Sequence, residues 1–344
     1  MEAKKYELTT PQKGIYLLEK FYSNTNLNNI CGTSIVHSKL DFDTLKKAIN
    51  IVIQNNNSFN LHFVLENNTV KQYLTNYTYI DVEIVDIPDE SHIQDIENAV
   101  LKKKFDIFSS ENLYEFKIFR LPNNNGGFLL NIHHLLADSW TLGLTCKNII
   151  TAYNNLLGIE GNTVNSSSYI DFCIKEQEYI NSEKFEKDKS YWNSVFETIP
   201  EIASIPSKNK NTNSSTSCSA NRSSFTLENN LVDNINKFCK KYKISTFNFL
   251  TAIYSLYISR VTGLNDFVIG TPILNRTNFV EKNTTGMFIN TVPLRISLTN
   301  IHTFQELISD ISVKSLAMLR HQKYAYEFIL DDLRKVNPPL PNLY

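Results

Sequence analysis

The sequence predicts an α/β protein with mixed sheets, built as two lobes. Three observations carry this. Segments with apolar residues at helical spacing interleave with short β-rich runs along the chain. A length of 344 residues matches two domains at about 150 residues each. A polar, aperiodic stretch at 207–223, "SKNKNTNSSTSCSANRS", reads as a long loop or linker between lobes.

In the first half, Thr9-Thr10-Pro11 is a helix start signal, predicting a helix over 10–22. Residues 30–38 read as a strand. Asp41 to Gln54 reads as a helix with Leu45, Ile49 and Val52 on one face. Strands are expected at 60–65, 70–74 and 79–85, broken by Asn-rich turns, and a helix at 90–103. Residues 112–119 and 127–132 read as a hairpin around "PNNNGG". The next helix runs to Leu157, with Leu142, Cys146, Ile149, Tyr153 and Leu156 on one face and Gly158 as its C-terminal glycine. The second half predicts a strand at 223–227, helices at 229–241 and 245–261, and a strand in "DFVIGTP". The strand "MFINTVPLRI", helices at 303–319 and 324–335, and the Pro-rich tail "NPPLPNLY" follow.

The bulk numbers exclude several classes. A net charge of −1, from 34 basic and 35 acidic residues, leaves no electrostatic footprint for nucleic acid or an anionic membrane. No apolar run approaches the ~18–20 residues of a membrane span, and the N-terminus has no apolar signal-peptide core. Cys31, Cys146, Cys173, Cys218 and Cys239 are scattered, which fits a reducing cytoplasmic setting rather than a disulfide framework or zinc site.

The chemistry concentrates in "NIHHLLADSWT", residues 131–141. Adjacent strand residues point to opposite faces, so His133 and His134 cannot both face one cavity if the strand runs through them. One is expected buried and structural, the other facing a cleft. A strand-end histidine suits proton transfer, because its ordinary pKa is near 6.5; the plainer reading is a satisfied polar residue. Asp138 either caps the following helix or joins a buried ion pair. No Gly-x-Ser-x-Gly elbow, phosphate loop, dinucleotide fingerprint or His-Glu-x-x-His is present, and two histidines without a third ligand make no metal site.

The chain resembles the condensation domain of nonribosomal peptide synthetases, in the chloramphenicol-acetyltransferase-like superfamily. "IHHLLADSWT" resembles the family's His-His-x-x-x-Asp-Gly core motif, and "LTTPQKGIYLL" (8–18) its N-terminal motif around a Gln. "YIDF" (169–172), "VIGTPILNR" (268–276), "TGMFINTVPLR" (285–295) and "HQKYAYEFIL" (321–330) resemble later motifs, in the family's order. Two positions depart. Ser139 stands where the core motif has Gly, and Asn60 where an Arg-rich motif has arginine.

The resemblance implies two chloramphenicol-acetyltransferase-like lobes forming a V with a central tunnel. Residues 1–178 would be the N-terminal lobe with the histidine motif, and 179–344 the C-terminal lobe, cut short at its end. Donor and acceptor carrier proteins would bring thioesters on phosphopantetheine arms, with no cofactor bound by the domain itself, beside adjacent synthetase domains such as adenylation. The implied reaction is amide formation between a carrier-bound acyl or peptidyl thioester and a carrier-bound aminoacyl amine. His134 would be the general base or would position the amine. His133, Asp138, Ser139 and Arg276 would complete the active-site motif, with Arg276, on the second lobe, pairing Asp138 across the lobe interface. Trp140, Gly270, Thr271 and Asn290 would line the tunnel. Tyr169, Asp171, His321 and Gln322 are expected to support the fold. The alternatives are a stand-alone acyltransferase using coenzyme A or one carrier, and a non-catalytic platform that recruits carrier proteins.

Overall fold

A computed structural model of the chain describes residues 3–23, 25–159, 161, 168–205, 223–336 and 342–343. In chain order the elements are β1 (Lys5–Glu7), α1 (Thr10–Phe21), β2 (Asn29–Val36), α2 (Phe42–Asn55), β3 (Leu61–Glu66), β4 (Thr69–Leu74), β5 (Glu83–Asp86), α3 (Ile93–Leu101), β6 (Tyr114–Arg120), β7 (Gly126–His133), α4 (Ser139–Leu156) and α5 (Tyr169–Ile180). Then come α6 (Glu183–Val195), α7 (Asn229–Tyr242), α8 (Thr246–Thr262), β8 (Asp266–Ile273), α9 (Phe279–Lys282), β9 (Asn290–Ser297), α10 (Phe304–Arg320) and α11 (Tyr326–Val336). The expected linker 207–223 lies almost wholly, and the tail "NPPLPNLY" mostly, outside the described residues.

Two compact units result. The first holds the chain up to Ser182 together with Leu274–Ile289; the second holds Glu183–Ile273 and the chain from Asn290. The segment after β8, assigned with the second lobe in the sequence, therefore packs in the first unit. The cause is local. Phe288 is fully buried in the first unit's core, stacked near Phe172 at 4.2 Å and against Tyr169 at 5.3 Å between ring centroids.

The first unit has a three-stranded sheet in the order β1-β4-β3 and a four-stranded sheet in the order β2-β7-β6-β5. Only the β5–β6 pair is parallel among the described strand pairs, so the expected mixed sheet is present. β7 is central, and all eight of its residues are buried. The hairpin into it turns through Asn123 and Asn124, both at positive φ, which Asn tolerates better than most residues. Ala48, Ile49, Val52 and Ile53 of α2 are wholly buried in this core, each larger side chain contributing about 1.5–3 kcal/mol by transfer from water. α1 begins with a capping box: Thr9 Oγ1 accepts from Gln12 N–H, and the Gln12 side chain accepts from Thr9 N–H at 3.0 Å.

The second unit has the two-stranded antiparallel sheet β8-β9 with α6, α7, α8, α10 and α11. Its separate core includes Trp192, Phe267, Val292, Ile296 and Ile311.

Several expectations need correction. Residues 223–227 form no strand; Phe225 is exposed, and no strand among the described residues pairs with the segment. The second strand of "MFINTVPLRI" starts at Asn290, because Met287 to Ile289 belong to the returning segment. α4 buries Thr141, Leu144, Thr145, Asn148, Ile149 and Ala152; of the expected stripe, Ile149 is buried, Leu142, Cys146 and Tyr153 pack partly buried against the same core, and Leu156 is exposed. The fully buried residues are half polar, which apolar spacing does not predict. α5 and α6 had no counterpart in the element reading. α6 is too charged for an apolar stripe, while α5 carries a legible start signal, Ser168 capping Asp171 N–H at 3.2 Å.

Candidate active site

β7 delivers the histidines. Phe128, Leu130 and Ile132 enter the first unit's main core, which by strand alternation leaves Asn131 and His133 on the opposite face. There Asn131 Nδ2 donates to the Val100 carbonyl at 2.7 Å, and the His133 ring meets Phe105 edge-on. The strand stops at His133. A turn follows, closed by Leu136 N–H donating to the His133 carbonyl at 2.9 Å, so His134 lies past the strand end. His133 is buried, at 2% exposure, while His134 is partly exposed.

Each ring has a tautomer dictated by its partners. His134 Nδ1 lies 2.8 Å from the Ala137 carbonyl, which can only accept, so Nδ1 carries the proton and Nε2 keeps its lone pair. For His133 the order reverses. Leu135 N–H donates to Nδ1 at 3.1 Å, so the neutral ring carries its proton on Nε2, 3.3 Å from the Glu19 carboxylate. Burial pushes the pKa of His134 below its ordinary 6.5, against the raising effect of the Ala137 carbonyl. The imidazole is thus neutral near pH 7 with Nε2 available as an acceptor.

Asp138 is fully buried and both caps α4 and forms an ion pair; the two sequence readings were not alternatives. Oδ1 accepts from Thr141 N–H and Thr141 Oγ1 at 2.9 Å each and from Arg276 Nη2 at 3.1 Å. Oδ2 accepts from Arg276 Nη1 at 2.6 Å, Phe288 N–H at 3.0 Å and Ile289 N–H at 3.2 Å. Arg276 has no exposed side-chain surface, and its guanidinium stacks over the Phe288 ring at 4.1 Å. A planar, bidentate pair of this kind needs arginine rather than lysine. The pairing lies within the first unit, not between lobes as expected, because Arg276 is on the returning segment.

The returning segment is tied down at further points. Tyr169 Oη donates to the Met287 carbonyl at 2.6 Å and lies 3.0 Å from Thr9 Oγ1. Gly286, at φ +148°, packs so closely on the Tyr169 ring that an added Cβ would sit 2.1 Å from it. Ser58 and Thr285 hydroxyls meet at 2.6 Å. Gln12 Nε2 donates to the Leu135 carbonyl at 3.0 Å, bringing the N-terminal motif onto the histidine loop.

The other sequence-predicted residues divide between the units. Ser139 is the exposed first residue of α4, and Trp140 Nε1 donates to the Lys282 carbonyl at 2.9 Å. Asn60 occupies the expected arginine position, and its carbonyl accepts from Thr75 N–H at 2.9 Å. Gly270 and Thr271 pair with Pro293 and Val292 in the second unit's sheet, and Asn290 pairs with Ile273. His321 stacks on Tyr191 at 3.9 Å, bonds buried Asp188, and accepts Trp192 Nε1–H on its carbonyl. Sequence reading missed Glu19, Asn28, Thr141 and Phe288; the contacts of Glu19 with His133 and of Phe288 with Asp138 leave no local pattern, while Thr141 sits three residues after the capping Asp138 and was locally legible. Among the described residues no group of three or more His, Cys, Asp or Glu is placed to hold a metal ion.

A family model described as "Condensation domain" matches residues 2–339. The chain belongs to the condensation domain family. It is 33% identical over 352 residues to surfactin synthase subunit 1 of Bacillus subtilis (strain 168), covering all of this chain and 10% of that protein. It is 28% identical over 344 residues to a plipastatin synthase of the same organism, covering 98% of this chain and 13% of the relative. This condensation domain thus spans about a tenth of the curated relatives it matches. Among solved structures, the condensation domain of the Monacolin K polyketide synthase MokA superposes with a TM-score of 0.83 at 19% identity, over 99% of this chain and 78% of the other. The first condensation domain of the calcium-dependent antibiotic synthetase, in complex with a substrate analogue, gives 0.84 at 17% identity, over 99% and 79%. These likenesses show the fold, the mixed α/β fold of condensation domains. No described helix is long and apolar enough to cross a membrane.

Proposed function

We propose that this condensation domain forms an amide bond between an acyl or peptidyl thioester on a donor carrier protein and the amine of an aminoacyl thioester on an acceptor carrier protein. One observation carries the reading. The His134 ring is held as the Nδ1–H tautomer by the Ala137 carbonyl, which leaves the Nε2 lone pair free of its own loop. That loop runs directly into the buried Asp138–Arg276 pair.

In the reaction, the amine nitrogen attacks the thioester carbonyl carbon. The C–N bond forms, the C–S bond breaks, and the donor's pantetheine sulfur leaves as a thiol. The nitrogen must lose a proton, which His134 Nε2 accepts and can return to the departing sulfur. A free α-amine has a pKa near 7.7–8.0, so part of it is already neutral at pH 7. Holding amine and thioester together supplies much of the acceleration, and a general base adds about 10²–10⁴-fold. Asp138 and Arg276 hold the loop rather than move protons, since every oxygen of Asp138 is already taken by donors. The free cysteines Cys31, Cys146, Cys173 and Cys239 support a reducing, cytoplasmic setting, beside the other domains of a synthetase.

The test is intact-protein mass spectrometry of loaded donor and acceptor carriers incubated with the domain and with His134→Ala. Amide on the acceptor carrier that disappears in the variant is the expected result. Product that persists removes His134 as the base. Transfer from free acyl coenzyme A without any carrier would favour the stand-alone acyltransferase, and carrier binding without product the recruitment platform.

A further inference from the structure

We propose that Glu19 is the positioning residue for His134, acting on the backbone at both sides of it; this rests on His134 being the proton acceptor proposed above. Glu19 lies on α1 with its side chain 13% exposed, and a single oxygen, Oε2, receives two donors. Asn28 Nδ2 donates at 2.7 Å, and His133 Nε2–H lies at 3.3 Å. Both donors continue to the peptide of His134. The carbonyl of Asn28 accepts His134 N–H at 2.8 Å. His133 Nδ1 accepts the N–H of Leu135, the residue that follows His134, at 3.1 Å. One carboxylate oxygen thus organises the acceptors of two successive backbone N–H groups.

The second branch depends on a tautomer. Only the Nε2–H form of His133 leaves Nδ1 able to accept from Leu135. A neutral Nδ1–H ring would set two donors against each other at that nitrogen. An acceptor facing Nε2 selects the required form, and Glu19 is that acceptor. Burial pushes the Glu19 carboxyl upward, but the hydrogen bonds from His133 and Asn28 outweigh it and leave its pKa below the ordinary value. His133 and His134 therefore hold opposite tautomers: the first so that its Nδ1 supports the chain, the second so that its Nε2 faces substrate. Glu19 also lines a cavity of about 420 Å³ with Tyr16, Lys20, Phe105 and Phe108, which leaves room beside it for a hydrated amide in a variant.

The experiment is ¹⁵N spectroscopy of the histidine rings in the wild-type chain, Glu19→Gln and Glu19→Met, with His134→Ala to assign the pair. The wild type is expected to show His133 as Nε2–H and His134 as Nδ1–H. Glu19→Gln, which can place its carbonyl where Oε2 stands, keeps both. Glu19→Met, of similar size but with no comparable acceptor, lets His133 mix its tautomers. In the carrier assay Glu19→Met is expected to lower kcat roughly tenfold to a hundredfold with KM for the acceptor carrier within about twofold, and Glu19→Gln to recover most of the loss. Full kcat in a folded Glu19→Met overturns the proposal. So does a wild-type His133 found as Nδ1–H, which needs no variant to fold. If the wild type makes no amide, or His134→Ala keeps full activity, the functional reading fails. The ring spectra then still decide the hold of Glu19 on the loop.

Discussion

His134 shows how a single proton position decides what a residue can do. Its Nδ1 is committed to the Ala137 carbonyl, so only Nε2 can accept. Its depressed pKa has a consequence for stability. Below pH 6.5 the unfolded chain binds a proton at this residue that the folded chain resists, so stability is fully present above about 6.5 and declines as pH falls toward the folded pKa. Urea midpoints of wild type and His134→Gln should therefore converge from pH 7.5 to pH 5; a constant gap would show that burial does not govern this ring. Asp138 and Arg276 are a second case. Arg276→Ala leaves a buried carboxylate without its cation and should cost about 3–5 kcal/mol, read from urea unfolding, with activity lost as well. Unchanged stability and activity would remove the pair from the account of the loop. The pair was expected from the family resemblance, which sets Asp138 in the core motif and Arg276 in the motif after β8, and not from charge alone, since the chain carries 34 basic and 35 acidic residues. The Glu19–His133 contact was not, because nothing in residues 19 and 133 themselves records that they meet.

Among the elements, the returning segment Leu274–Ile289 does most to complete the site. It supplies Arg276, the N–H groups of Phe288 and Ile289, and the Phe288 ring under the guanidinium. Gly286 permits its approach to Tyr169, both through its positive φ and through the missing Cβ. Gly286→Ala should cost about 1–3 kcal/mol from overpacking alone, with strain at φ +148° added. A melting temperature unchanged by circular dichroism would show that the segment can move away without penalty. The helices with strong start signals, α1, α2 and α10, were readable because their caps are local: Thr9 with Gln12, Asp41 with Thr44, and Thr303 with Glu306. The polar part of the buried face of α4 was not readable, since Thr141 goes inside to donate to the Gly286 carbonyl and Asn148 is enclosed by the packing around it, neither of which periodicity measures.

In the molecule as a whole, the cut between units does not follow the order of the chain. Residues 1–182 by themselves lack Arg276 and Phe288, so Asp138 would be a buried charge without its partner and the first core would lose a ring. A fragment of residues 1–182 is expected to be less stable by at least the ~3–5 kcal/mol of the broken pair, a large share of an ordinary domain's ~5–15 kcal/mol, with the loss of the Phe288 ring from the core added to it. Loss of its cooperative unfolding transition, followed by near-ultraviolet circular dichroism, is the expected result. A fragment that unfolds cooperatively at the midpoint of the intact chain would mean that the segment is an accessory to the fold.

Local order in this protein is written in local chemistry. Caps, alternation and Asn-rich turns specify most helices and strands, and the ordered motifs specify the family, because each depends on residues near one another in the chain. The site depends on residues that are far apart: Glu19 with His133, Asp138 with Arg276, and Tyr169 with Met287. Those contacts exist because burial makes an unpaired charge or carbonyl costly, and folding brings distant partners together to satisfy it. The assignment of Leu274–Ile289 to the first unit, the tautomers of the two histidines and the double role of Asp138 all follow from that requirement, which acts only once the chain has closed around them.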